Sequence, residues 1–172
     1  MERRSVETIV QALEHAGVRY LIAGGLAVVA HGFVRFTADL DLVLDPDPGS
    51  LRAAIAALDG LGYRPRAPVA FEEFADRAMR TRWASEKGMT VFSAASPVHP
   101  ATEIDLFLEP PFDFEAAHAR AERFELEPGV TATFVSLADL LAMKRTVGRP
   151  QDLQDVAALE AIRHESEDPH GR

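Results

Sequence analysis

Apolar residues recur along this chain first with a helical period, then with a strand period, and the switches between the two mark out its elements. Val6, Ile9, Val10 and Leu13 return at three- and four-residue steps, which predicts an amphipathic helix opened by Ser5 and ended near Gly17. The apolar run Tyr20–Ala23 follows at once and reads as a strand. Gly24-Gly25 ends it, and a short apolar helix from Leu26 to about His31 stops at Gly32. From Asp39 to Leu44 the period becomes two, so Leu40, Leu42 and Leu44 point to one side of a strand while Asp39 and Asp41 point to the other. The segment Asp45-Pro46-Asp47-Pro48-Gly49 breaks regular structure. After it, Ser50 is placed to cap a helix whose Leu51, Ala54, Ile55 and Leu58 face inward.

Between Pro65 and Lys87 no single period dominates. Met89–Ala94 and Thr102–Leu108 then read as two strands separated by the turn-prone Ser96-Pro97-Val98-His99-Pro100. A helix over Asp113–Arg123, a strand near Thr131–Val135 and a helix opened by Ser136 complete the middle of the chain. Ser136 and Asp139 stand at capping-box spacing, with Leu137, Leu140 and Leu141 on the core side. Gly148-Arg149-Pro150 starts a last helix. The pattern holds no internal repeat and no linker. It predicts one α/β (α+β) domain over residues 1–165, a mixed sheet with helices packed on it and a helical C-terminal part from about 136, followed by a frayed end at 166–172.

Composition narrows the setting. A chain of 172 residues that is 47% hydrophobic can bury a core without covalent staples. The absence of cysteine removes disulfide frameworks, thiolate zinc sites and thiol nucleophiles together. With a polar start at Met1-Glu2-Arg3-Arg4 and no apolar run near the roughly 20 residues of a membrane span, the expected location is the cytoplasm, with no membrane partner. A net charge of -9 argues against a general nucleic-acid coat, although a local basic patch can still hold a polyanion.

The chemistry concentrates in the acidic strands. Asp39 and Asp41 project from one face, and two carboxylates there repel unless something positive sits between them; Mg²⁺ suits such a place because it takes hard oxygen ligands and shares them with substrate phosphates. In the strand Thr102–Leu108, Ile104 and Leu106 alternate with Asp105, the candidate third carboxylate, and Glu103 shares its parity as a rival. Other features have plainer readings beside the chemical ones. Lys144 either complements a helix dipole or neutralises phosphate as a mobile point charge. Arg149, Asp152 and Asp155 fit surface ion pairs or a helix cap as well as a site. Arg77, Arg80, Arg82 and Lys87, interleaved with acidic residues, read as a solvated face; Phe71, Phe74 and Met79 read as core, and His31 as packing beside its helix.

In combination these residues carry a resemblance. The order Gly24-Gly25, a spacer containing Arg35 and Thr37, then Asp39-Leu40-Asp41 and Asp105 resembles the nucleotidyltransferase superfamily with the DNA polymerase beta fold, and within it the AbiEii-type toxin nucleotidyltransferases and their bacterial relatives. The runs Ser136–Lys144 and Gly148–Asp155 are similar to that group's later motifs. The resemblance implies a mixed-sheet nucleotidyltransferase fold in which Asp39, Asp41 and Asp105 hold two Mg²⁺ ions and carry catalysis. It also implies that Gly24, Gly25, Arg35, Thr37 and Lys144 bind a nucleoside triphosphate, with Arg149, Asp152 and Asp155 as further candidates. The implied reaction moves a nucleoside monophosphate to a hydroxyl acceptor, a tRNA first and a small molecule or protein second, in a toxin with an antitoxin partner. The alternatives are an antibiotic-modifying transferase, of the aminoglycoside or lincosamide kind, and an inactive nucleotide-binding or interaction module. One departure stands out: many members have Gly-Ser at the turn, and here the second residue is Gly25, so a phosphate donor must come from Thr37, Arg35 or Lys144.

Overall fold

The computed structural model describes residues 1–167 of the chain. Its elements run α1 (Arg3–His15), β1 (Tyr20–Ile22), α2 (Gly24–Ala30), β2 (Asp39–Leu44), α3 (Pro48–Gly60), β3 (Arg64–Pro65), a 3₁₀ turn (Phe71–Ala75), α4 (Arg77–Lys87), β4 (Val91–Ala95), β5 (Glu103–Phe107), α5 (Phe114–Ala119), β6 (Glu122–Glu127), β7 (Val130–Phe134), α6 (Leu137–Val147) and α7 (Pro150–Glu167). The strands form one seven-stranded mixed sheet in the order β3-β4-β5-β2-β1-β7-β6. β2 pairs parallel with β5 and β1 parallel with β7; the other four pairings are antiparallel.

Strand alternation divides the centre of this sheet into two unlike faces. Leu40 and Leu42 lie opposite Ile104 and Leu106, which lie opposite Phe92 and Ala94 on β4, and all six are buried. The stripes expected of α1 and α3 cover the core: Val6, Ile9, Val10 and Leu13, and Leu51, Ala54, Ile55 and Leu58, are all buried in the same cluster. On the other face Asp39, Asp41, Ser93, Glu103, Asp105 and Phe107 are only partly covered. The fold thus hides one side of its central strands and leaves the acidic side open to a cleft.

Several expectations need correction. Ser5 is not a cap: α1 begins two residues earlier, and Ser5 is buried inside it, its Oγ 3.0 Å from His99 Nδ1. The cap of α3 is Asp47, whose carboxylate accepts from the Ser50 N–H at 2.9 Å, with Pro48 in the first turn where its missing N–H costs nothing. α2 begins at Gly24 instead of Leu26. The helix expected over Asp113–Arg123 ends at Ala119, and the following residues form the edge strand β6, where Phe124 and Leu126 alternate with charged residues before the Pro128-Gly129 turn to β7. Ser136 caps α6 as expected, accepting from the Asp139 N–H. Ser166 and Glu167 still belong to α7, and the rest of the expected frayed end, 168–172, lies outside the described residues. Among the described residues, no helix is long and apolar enough to cross a membrane.

Arg80 departs furthest from its expected place. Instead of lying on a solvated face, it is 3% exposed and donates from Nε to the Leu108 carbonyl at 2.9 Å and from Nη1 to the Phe74 carbonyl at 2.8 Å, with its guanidinium over the Phe74 ring. Burial pulls its pKa down, but the two main-chain acceptors it satisfies would otherwise be orphaned. Arg80→Ala is therefore expected to cost about 2–5 kcal/mol of stability, since each unsatisfied buried acceptor costs roughly 1–3 kcal/mol. Urea unfolding would show it as a lower midpoint at unchanged slope, whereas exposed Arg82→Ala, whose ion pair with Glu86 is solvated, should be near neutral.

Candidate active site

The parallel pairing of β2 with β5 places Asp41 directly opposite Asp105 and Asp39 opposite Glu103. Adjacent strands lie about 4.8 Å apart, so three aspartates from two strands share one small area of the open face. Glu103, the rival ligand, is drawn away by Arg66, which donates to both its oxygens at 2.8 and 2.7 Å. Asp105 is approached instead from β4, where Ser93 Oγ donates to its Oδ1 at 2.5 Å.

The glycines are required by what stands against them. Gly24 has φ +59°, and a Cβ there would collide with the Asp41 carboxylate and stand 2.9 Å from Asp41 Cβ. A Cβ on Gly25 would overlap the Thr37 hydroxyl, 2.7 Å from Thr37 Cβ and 3.2 Å from Arg35 Nη2. Each bare α-carbon therefore lets one site residue press against the start of α2: Asp41 against Gly24, and Thr37 against Gly25. A serine in place of Gly25 would have no room while Thr37 stays where it is.

On the far side, α6 and α7 close the site with buried charge. Lys144 is 6% exposed and bonded to Asp152 Oδ1 at 3.0 Å and Asp155 Oδ2 at 2.7 Å. Asp155, fully buried, also holds Arg35: Nε lies 2.8 Å from its Oδ1, and Nη2 donates to its Oδ2 at 3.0 Å. Burial alone would raise the Asp155 pKa, but Lys144, Arg35 and Gln151 outweigh it and hold the carboxyl below its ordinary value. Lys144 is thus a clamped cation with the C-terminal helix as its counter-ion, not the mobile point charge expected.

These groups face a cleft of about 780 Å³, lined by both glycines, Arg35, Thr37, the three aspartates, Lys144, Arg149 and Asp152. Asp155 lies behind the wall. The side of the cleft beyond Asp105 is apolar, with Met89, Val91, Phe107 and Leu108. Two pairings could not be read from the sequence, although Asp155 itself stands among its candidates. Ser93 follows from β4 alternation only once the register against β5 is known, and the Asp155 network joins residues 120 positions apart with no local signal.

Electrostatics mark the centre of the cleft as short of positive charge. The Asp41 pKa is pushed up to about 6, first by burial and then by Asp105 and Asp39, with the Gly25 N–H and Lys144 pulling the other way. Burial also raises Asp105, helped by Asp39 and Glu103 and opposed by Ser93. Among the described residues no three acidic or imidazole side chains converge on one point. The donor set, all carboxylate oxygen on an open face, suits a hard divalent cation, while Lys144 and Arg35 are already paired with Asp152 and Asp155.

Two outcomes follow. In the folded protein Asp41 keeps its proton to about pH 6, against about 3.8 when unfolded, so as pH rises between those values the unfolded state releases the proton first and stability falls. Asp41→Asn should therefore stabilise the metal-free protein at pH 7.5 by about 1–3 kcal/mol, with little gain at pH 4, in thermal melts at both values. An equal gain at both would contradict the assignment. Gly24→Ala should destabilise the protein by at least about 1 kcal/mol in urea unfolding, because the added Cβ meets Asp41 in a backbone conformation that L side chains avoid. Gly60→Ala, with open space around its Cβ, is the control expected to change nothing.

A family model described as "Nucleotidyl transferase AbiEii toxin, Type IV TA system" matches residues 11–169. No curated protein matches the chain. The family match spans the whole sheet from β1 to β7 together with α6 and α7, and so covers the acidic strands, the glycines and the clamped lysine alike. The chain belongs to the AbiEii nucleotidyl transferase toxin family and is an enzyme of the nucleotidyl transferase class.

Proposed function

We propose that this enzyme transfers a nucleoside monophosphate from a nucleoside triphosphate to a hydroxyl on tRNA, with Mg²⁺ held by Asp39, Asp41 and Asp105. The observation that carries the reading is the pairing of Asp41 with Asp105 on an open sheet face, with Gly24 pressed against Asp41. When bound, two Mg²⁺ ions would screen the triphosphate and stabilise the entering and leaving oxygens. The residues of the chain do the rest. Gly24 and Gly25 let main chain approach the phosphates closely; Thr37 offers its hydroxyl beside Gly25; Arg35 and Lys144, fixed by Asp155, keep positive charge at the same end of the cleft. The acceptor oxygen forms a bond to the α-phosphorus, the bond to the β-phosphate oxygen breaks, pyrophosphate leaves, and Asp105 takes the acceptor proton.

A small-molecule acceptor is the second reading, favoured by the apolar wall of Met89, Val91, Phe107 and Leu108 beyond Asp105, where Glu109 supplies the charge. An antitoxin is the partner that a toxin–antitoxin family suggests.

The test incubates the purified chain with each α-labelled triphosphate, Mg²⁺ and total RNA, with parallel arms of protein extract and small hydroxyl compounds. Label in tRNA and stoichiometric pyrophosphate are expected, and Asp39→Asn or Asp41→Asn should lower the rate by at least about 100-fold. Label in a small molecule alone would select the second reading. Unchanged transfer in the Asn variants would remove these carboxylates from the reaction.

A further inference from the structure

Ser93 belongs to none of the motifs on which the reading of this site rests, and it does not line the cleft, yet it makes the shortest polar contact to a candidate catalytic group. We infer that Ser93 is a positioning residue for Asp105, fixing one carboxylate oxygen so that the other is presented to the cleft. This rests on the proposed transfer reaction and deepens it.

Backbone register explains why serine reaches Asp105. Leu108 N–H donates to the Thr90 carbonyl at 3.1 Å, which makes 90 and 108 a hydrogen-bonded pair of the antiparallel β4–β5 ladder. Pairs alternate along such a ladder, so Ser93 and Asp105, three steps on, are a non-hydrogen-bonded pair, the kind whose side chains stand closest. The other side of β4 agrees, because the Ser93 carbonyl is used by the Arg66 N–H of the neighbouring segment at 2.9 Å, away from β5. Both side chains project from the same open face, and the short Cβ–Oγ arm of serine places its hydroxyl 2.5 Å from Asp105 Oδ1.

The restraint matters because Asp105 has little else to orient it. Among the described residues no other hydrogen bond reaches its carboxylate, and the adjacent Glu103 is occupied by Arg66. A carboxylate on a strand can turn about two side-chain bonds. A donor on Oδ1 removes most of that freedom and leaves Oδ2 to meet a cation or the acceptor's hydroxyl. Partners that orient a metal-ligating group in this way are worth about 10–100-fold in affinity or activity.

Ser93→Ala and Ser93→Thr in the full chain test this with two readouts. Mn²⁺ binding, followed by electron paramagnetic resonance without triphosphate, should weaken about tenfold in Ser93→Ala, and kcat with α-labelled triphosphate should fall about 10–100-fold while triphosphate KM stays within about twofold. Ser93→Thr keeps a hydroxyl on the same Cβ and should restore both. A Ser93→Ala protein with wild-type Mn²⁺ affinity and kcat, even with a lower melting temperature, would reduce Ser93 to a structural role and overturn the inference while the transfer reaction stands. A wild-type chain that binds Mn²⁺ but moves no label would overturn the reaction instead, and the Mn²⁺ comparison alone would decide Ser93. A wild-type chain that binds no Mn²⁺ would overturn both.

Discussion

Asp41 and Asp105 face one another across a parallel strand pair, and the rest of the site is arranged around the repulsion this creates. Two unit charges about 5 Å apart at an effective dielectric near 20 oppose each other by on the order of 3 kcal/mol. Burial first, and then this repulsion, keep the proton on Asp41 to about pH 6. Lys144 opposes that shift, although it and Arg35 are both paired with Asp152 and Asp155. The proposed divalent ion would complete a site built to this pattern.

Placement of each surrounding group follows from that constraint. Gly24 has no side chain because Asp41 occupies the space one would need, and Gly25 has none because Thr37 does. The Gly-Gly form of the turn is thus a packing solution in which a threonine on the strap before β2 brings a hydroxyl to the place from which a side chain on α2 would start. Behind them, Asp155 ties that strap to α6 and α7 through Arg35 and Lys144, so the C-terminal helices are part of the cleft and not an appendage to it.

Much of this could be read from the chain because it depends on short periods. The two-residue alternation in β2 and β5 put the aspartates on one face and the leucines on the other, and the structure keeps that division. The stripes of α1 and α3 and the Ser136 cap were legible for the same reason. What failed depends on partners distant in sequence. Arg80 lies in a charged stretch and looks solvated, but carbonyls of Phe74 and Leu108 draw it inside. Glu103 and Asp105 are equivalent in pattern, and only Arg66 and Ser93, one on each neighbouring segment, make them different. Ser5 and Ser50 resemble caps, yet both helices begin earlier: Asp47 caps α3, and Glu2 stands at the start of α1 without a side-chain capping bond, which capping preference alone does not decide.

The most direct measurement is a crystal structure of the protein with Mn²⁺ and a triphosphate that resists transfer, with the metal located by its anomalous scattering. Metal binding by these aspartates predicts anomalous density between Asp41 and Asp105 with Asp39 in reach, and the triphosphate running past Gly24 and Gly25 toward Thr37. Metal bound at another place, or a triphosphate bound in the cleft with no metal against these carboxylates, would contradict it.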